Sequence, residues 1–276
     1  MRRQSILSLV EPILTAPLFA PLNEELVQLL RGLTPAEWNA RAVGTWSVKD
    51  VAAHLLDTSL RRLSAQRDRY LAPLDAASDL AAIINSMNAQ WVAAAQRLSP
   101  AILVEMIDHY GRAMAEHIVT IDPFAQGLGV SWAGEATSPN WFDTARELTE
   151  RWHHQQQIRD AARRPPLYEL RYFRPVMDTF LRALPFGYRN APAADGTTVA
   201  FEIRDVTACS LVRNDGQWRL AADVDGTASA VVHMNGDIAW RLFTKGIARE
   251  EARRRSNVDG DARLAEPLFS MVAVVA

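Results

Sequence analysis

A chain of 276 residues, 49% hydrophobic and 22% charged, has the apolar material for a sizeable core and the length for two small domains. Its formal net charge of −2 speaks against a nucleic-acid or polyanion partner. The single cysteine, Cys209, excludes an internal disulfide and a cysteine-rich zinc site, and in its strand-like run it reads as a small buried apolar residue.

The chain opens MRRQSILSLVEPILTAPLFA, basic residues and then apolar ones, as a signal peptide does. Glu11 and Pro12 cut that apolar run, and PLNEELVQLLRGL follows it directly with Leu22, Leu26, Leu29 and Leu30 at helical spacing. The expectation is the mature N-terminus of a cytoplasmic protein. No run approaches the ~18 apolar residues of a membrane span, so no membrane partner is expected. TPAEW reads as a short capped turn, with Thr34 as cap and Pro35 at the first helical position. Ser47 then caps a helix, with Asp50 three residues on in a variant of the capping box, and the helix is expected to reach Tyr70. Two more helices are expected over Ser78–Leu98 and Pro100–Ile121. Asp122–Asn140, rich in Gly, Ser and Pro, reads as a long loop of the kind that carries function. A last helix is expected from Trp141 to Arg164.

The Arg-Pro-Pro at 164–166 stops that helix and makes a linker. Beyond it comes one helix, LYELRYFRPVMDTFLRAL, and then strands. TTVAFEIR alternates with period two, placing Thr197, Val199, Phe201 and Ile203 on one face. SLVRNDGQWRL carries an Asn-Asp-Gly turn between two short runs and reads as a hairpin. TASAVVHM is a further strand, and IAWRLFTK and DARLAEPLFSMVAVV read as closing helices. The expected class is α+β in two domains, helical over 1–165 and small α+β over 166–276.

One residue on the Ser47-capped helix is out of place. His54 sits among Val48, Val51, Leu55 and Thr58, on the side expected to be buried. Alone, it is satisfied as a core histidine with one hydrogen bond. The last helix of the first domain offers it company. In TERWHHQQQIRD, Glu150 and His154 are four residues apart, about 40° apart in projection and roughly 6 Å along the axis. That spacing lets two side chains grip one ion from one helix, although a surface Glu/His pair uses the same spacing. A histidine from one bundle helix and a Glu/His pair from another make a three-ligand set of two imidazoles and a carboxylate. Such a set leaves positions open for water or substrate, the ligand count of a catalytic rather than a structural zinc site. His153 is turned about 100° from His154 and reads as packing or support. Gln155, Gln156 and Gln157 are read as orienting ligands or as facing solvent. His109, His117 and His233 are given structural roles.

LFAPLNEELVQLLRGLTPAEW, GTWSVKDVAAHLLD and TERWHHQQQIRDAARRP, in this order, resemble the maleylpyruvate isomerase family. The resemblance implies an N-terminal DinB-like four-helix bundle that holds a divalent metal. The family's ligands, a His in the W-S-V-K-D helix and a Glu-x-x-x-His pair in the last bundle helix, fall on His54, Glu150 and His154. ASAVVHMNGDIAWRLFTKG and VDGDARLAEPLFSMVAVVA are similar to the family's second, sterol-carrier-like domain. There the family commonly has a Gly-Arg pair, with an arginine of that domain implicated in activity; this chain reads Lys245-Gly246-Ile247.

The resemblance implies an enzyme that uses a low-molecular-weight thiol such as mycothiol as co-substrate, with zinc favoured and nickel, iron or manganese possible. The thiolate would add to the cis double bond of an unsaturated acid, allow rotation and leave. The expected partners are that thiol and a small electrophilic substrate, in an isomerisation or S-transfer. Cationic or amide side chains from Asp122–Asn140 or the second domain are expected to hold the substrate's carboxylates. Two other readings stand beside this one: a metal-dependent hydrolase using metal-bound hydroxide, and a non-enzymatic binding protein for an apolar ligand held by the C-terminal domain.

Overall fold

A computed structural model describes residues 11–71, 80–221 and 228–274. Helices come first and a sheet with helices follows, the α+β order expected from the sequence. The chain forms two compact units. One is built on Leu14–Ala125 with Glu147–Tyr172, the other on Gln126–Arg146 with Phe173–Val274.

In the helical unit, α1 (Phe19–Arg31) buries the leucine stripe expected of it. Leu22, Leu26, Leu29 and Leu30 are 2, 3, 8 and 1% exposed, and burying each such side chain contributes about 1.5–3 kcal/mol. The turn α2 (Pro35–Trp38) has a full capping box: the Thr34 hydroxyl accepts from the Glu37 N–H, and the Glu37 carboxylate accepts from the Thr34 N–H. A small antiparallel pair, β1 (Arg41–Val43) and β2 (Trp46–Ser47), turns through Gly44 at φ +53°. It was not anticipated, and it delivers Trp46 to the start of α3 (Val48–Arg62). Ser47 and Asp50 exchange the two capping hydrogen bonds at that start.

The expected run of α3 to Tyr70 is cut short. After Arg62 the helix widens into a π turn over Leu63–Arg67, where the Asp68 N–H reaches the Leu63 carbonyl. Nor is α3 greasy on one face only. Val48, Val51, Ala52, Ala53, Leu55 and Leu56 are all buried, so the helix is apolar around most of its circumference, the mark of a central element. It packs against α4 (Leu80–Ala95) and α5 (Pro100–Ile118), and α5 packs on α1. The expected start of α4 at Ser78 lies outside the described residues. Ser99 caps α5, which ends at Ile118 rather than Ile121. The last helix of the set, α6, runs Asn140–Ala161, three residues short of the expected Arg164, and Arg163 beyond it takes a left-handed φ of +53°.

The other unit corrects the reading of Asp122–Asn140 as a loop. Gln126–Leu128 (β3) and Thr137–Pro139 (β4) pair antiparallel, with a turn of 3-10 helix at Ser131–Ala133 between them. Strands of three residues are too short to show period-two alternation against a Gly- and Ser-rich background. Next come α7 (Leu170–Leu181), which accommodates Pro175, and α8 (Leu184–Gly187). The main sheet consists of β5 (Thr198–Ile203), β6 (Thr207–Asn214), β7 (Gln217–Ala221), β8 (Ala230–Met234) and β9 (Asn257–Gly260), in the order β7-β6-β5-β8-β9. Val199, Phe201 and Ile203 are buried on one face as expected, but Ala200 on the other face is buried too, so burial does not alternate cleanly. The β6–β7 turn has Asp215 at φ +50° and Gly216 at φ +70°, the type I′ geometry that Asn-Asp-Gly favours. β5 pairs parallel with β8.

After β8 come α9 (Gly236–Phe243) and α10 (Arg249–Arg254), then β9, then α11 (Glu266–Phe269). Neither β9 nor α10 was anticipated. The expected closing helix over DARLAEPLFSMVAVV reduces to a 3-10 turn at Ala262–Ala265 and the single turn of α11. Pro267 suits the first turn of a helix but not its interior. Past Ser270 the chain is no longer helical, and the Ala273 N–H bonds the Phe243 carbonyl.

Candidate metal centre

His54, Glu150 and His154 meet inside the helical unit. His54 comes from the second turn of α3, where the Ser47 cap fixes the helix phase. Glu150 and His154 come from successive turns of α6. One donor atom from each of the three lies within 4.8 Å of the other two. Glu150 Oε1 sits between the rings, 3.2 Å from His54 Nε2 and 3.0 Å from His154 Nε2. The ring centroids are 4.8 Å apart and nearly perpendicular. A tetrahedral ion with bonds of about 2.1 Å sets its donors roughly 3.4 Å apart; the two distances to Glu150 are close to that, and the set as a whole lies within 4.8 Å. The side chains of His54 and His154 are 5 and 10% exposed, that of Glu150 25%, so the cluster is open on the carboxylate side.

The charges of the three groups are coupled. Burial pushes His54 down and outweighs the hydrogen bond to Glu150 that works to raise it. Burial also opposes ionisation of Glu150, but the neighbouring His154 and the bonds from both histidines prevail and hold its carboxyl well below the usual range. For His154 burial again works downward, and Glu150 with the Gln157 hydrogen bond overcomes it and raises the imidazole. The cluster is thus one carboxylate between two imidazoles, largely buried, with the carboxylate held ionised by its histidine neighbours. A helix-surface Glu/His pair would show neither this burial nor a third partner.

Around the cluster, the indole of Trp46 lies 5.3 Å from the His54 ring. The Nδ1 of His54 is buried and has no hydrogen-bond partner. His153 does not turn clear of the cluster: its ring packs 4.1 Å from that of His154 and its Nδ1 lies 3.9 Å from Glu150 Oε2. That Nδ1 donates to the Thr149 carbonyl at 3.0 Å, and burial lowers the pKa to about 3. The three glutamines divide. Gln155 donates to the Leu22 carbonyl, and Gln156 accepts from the Leu167 N–H, both fully buried and both tying α6 to its own unit. Gln157 alone reaches a cluster residue, with Oε1 2.7 Å from His154 Nδ1.

One turn before Glu150 on α6 lies a second buried polar group. Glu147 contacts Arg62 at 3.4 Å and Arg151 at 3.2 Å, and Arg151 also reaches the Ser59 hydroxyl at 2.9 Å. Sequence reasoning missed it. The available signal was Glu147 and Arg151 at i,i+4 on the helix that carries the ligands. His109 is exposed, His117 is partly buried on α5, and His233 lies on β8 between Glu202 at 2.6 Å and Asp259 at 3.1 Å. None of these three joins the cluster. The stretch 122–140 contains no Lys or Arg, so only its amides, Gln126 and Asn140, remain of the side chains expected there for carboxylates. At the Lys245-Gly246 step, the Gly246 N–H bonds the Arg241 carbonyl and the Lys245 N–H bonds Leu242, with Lys245 at φ +62°. This is a Schellman stop for α9. The nearby Arg249 and Arg253 both pair with Glu266.

Residues 19–159 match the family described as the mycothiol maleylpyruvate isomerase N-terminal domain. The chain belongs to that family. Two crystal structures of the mycothiol-dependent maleylpyruvate isomerase, one of a histidine-to-alanine variant, share its fold. Their TM-scores are 0.52 and 0.51 at 12% identity, covering 84% of this chain and 88% of theirs. No curated protein matches the chain by sequence. Among the described residues, no helix is long and apolar enough to cross a membrane.

Cys209 is far from suited to nucleophilic chemistry. Burial pushes its thiol up to about 12. In native protein at mildly alkaline pH, iodoacetamide is expected to leave Cys209 unmodified for hours, with full labelling on unfolding, as read by intact mass. Rapid native labelling would show a reactive thiolate there instead.

Proposed function

We propose that the protein is a divalent-metal-dependent enzyme that uses a low-molecular-weight thiol to isomerise, or transfer sulfur to, a small electrophile such as an unsaturated acid. His54, Glu150 and His154 are the proposed metal ligands. The observation that carries this reading is the meeting of two imidazole Nε2 atoms on one carboxylate oxygen inside a member of this family. When bound, the ion would supply Lewis acidity and keep a thiol as thiolate near neutral pH. Zinc suits two nitrogens and one oxygen best, with nickel, iron and manganese compatible.

The chain's own residues supply the rest. Glu150 brings the single negative charge. His54 and His154 present neutral-ligand nitrogens from two helices, so the site's width is set by helix packing rather than by a loop. Trp46 shields the His54 side from water, and the open carboxylate side is where thiol and substrate would enter. The thiol must come from outside the chain, since Cys209 is buried and protonated. A thiol co-substrate and one unpaired cysteine fit a reducing compartment. Residues 166–276 would form the second, sterol-carrier-like domain, a reading that rests on the sequence resemblance.

The test is elemental analysis of untagged protein beside His54→Ala and His154→Ala, followed by turnover of a cis-unsaturated diacid with and without mycothiol. About one divalent ion per chain, lost in both variants, with turnover only when thiol is present, is the expected result. Wild-type protein that takes up no ion when zinc is offered would overturn the reading. Turnover independent of thiol would retain the metal site and point to metal-bound hydroxide as the nucleophile.

A further inference from the structure

We infer that Gln157 is a positioning residue for this site, fixing which nitrogen of His154 is left to bind an ion; the inference rests on the metal reading above. The side-chain oxygen of Gln157 lies 2.7 Å from His154 Nδ1. An amide oxygen can only accept, so Nδ1 must carry the proton. With Nδ1 protonated, a neutral imidazole has its lone pair on Nε2, the atom 3.0 Å from Glu150 Oε1 and facing the cluster. Without that acceptor, the proton is free to sit on Nε2 and bond Glu150 directly. His154 would then be a hydrogen-bond donor to the carboxylate and no ligand at all.

The two histidines differ in this respect. His54 Nδ1 is buried with no partner, so nothing comparable fixes its tautomer. Control of the site's protonation pattern is concentrated on His154, and Gln157 exercises it from the next turn of the same helix. The other two glutamines of the run are committed to backbone groups of α1 and of the chain after α6. Only the third is available. Gln157 is also partly exposed, so replacing it disturbs little packing.

Loss of such a supporting hydrogen bond typically lowers metal affinity about 10–100-fold. The experiment is zinc affinity of the full-length protein, by competition with a chromophoric chelator, for wild type, Gln157→Leu and Gln157→Glu. Melting of the metal-free forms reports on folding. The expected result is a loss of about 10–100-fold for Gln157→Leu with an unchanged apo melting curve. Gln157→Glu, a stronger acceptor that cannot present a donor when ionised, is expected to bind zinc at least as tightly as wild type. Equal affinity in wild type and Gln157→Leu would overturn the inference and leave the metal site standing. So would Gln157→Glu binding as weakly as Gln157→Leu, or a Leu variant that fails to fold beside a Glu variant that binds weakly. Wild type that binds no zinc would overturn both.

Discussion

Glu150→Gln is expected to strip the protein of its divalent ion and of thiol-dependent turnover while leaving it folded. The substitution preserves volume and removes one charge. In the wild type, Oε1 of Glu150 is 3.2 Å from His54 Nε2 and 3.0 Å from His154 Nε2. Among the described residues no other carboxylate belongs to the cluster, so the glutamine variant offers an ion three neutral donors in a site where neither imidazole is more than 10% exposed. The ion's desolvation is then uncompensated. The loss should exceed the roughly 10–100-fold expected on removing a supporting hydrogen bond. Folding should survive because the Glu150 side chain is 25% exposed and a glutamine there can still bond both rings and water. The measurement is zinc affinity by chelator competition, with far-UV circular dichroism as the control. A Glu150→Gln protein that retains wild-type affinity would remove Glu150 from the site.

The three proposed ligands were legible because helical phase is legible. Ser47 and Asp50 announced the start of α3, which set the direction of His54. The i,i+4 spacing of Glu150 and His154 set theirs. Much of what surrounds them was not legible, for one physical reason: local hydropathy does not report burial of a polar helix. α6 carries Arg151, His153, His154, Gln155 and Gln156, yet each is less than 9% exposed. By composition it reads as a solvated surface. Some of its polar groups pair three or four residues along the helix, but Gln155 and Gln156 bond backbone 133 and 11 residues away, beyond any local window. α3 hid its environment in the opposite way, since a helix apolar on most sides still shows a convincing stripe. The short strands β1 to β4 escaped because two or three residues cannot display a period. β9, at the sheet edge, has no buried residue to mark it. The last expected helix was overextended past Pro267, where the chain leaves the single turn of α11 and tertiary hydrogen bonding to α9 takes over from local propensity.

The largest stability effect in the helical unit should come from Glu147, a residue that is not proposed to touch the ion. Its carboxylate faces Arg62 on α3 and Arg151 on α6, and all three side chains are less than 10% exposed. Glu147→Ala removes the anion and leaves two guanidinium groups in the interior without their shared counter-charge. Breaking a buried ion pair in this way costs about 3–5 kcal/mol. The hydroxyls of Ser59 and Thr58 still accept from Arg151, but they neutralise nothing. Urea unfolding of the metal-free protein should show that loss as a lower midpoint at unchanged slope. The companion variant Arg62→Met, Glu147→Leu, Arg151→Met removes all three charges together and fills a similar volume. It should recover most of the loss, or exceed the wild type by about 1–4 kcal/mol, because desolvation of three ions disappears with their attraction. It should also still bind zinc, since His54, Glu150 and His154 are intact and their helices remain packed. Were Glu147→Ala to lose less than about 1 kcal/mol, the value of a surface pair, the guanidinium groups would have to reach water readily. Were the triple variant stable but unable to bind zinc, the network would act in placing α6 against α3 at the spacing the ligands need.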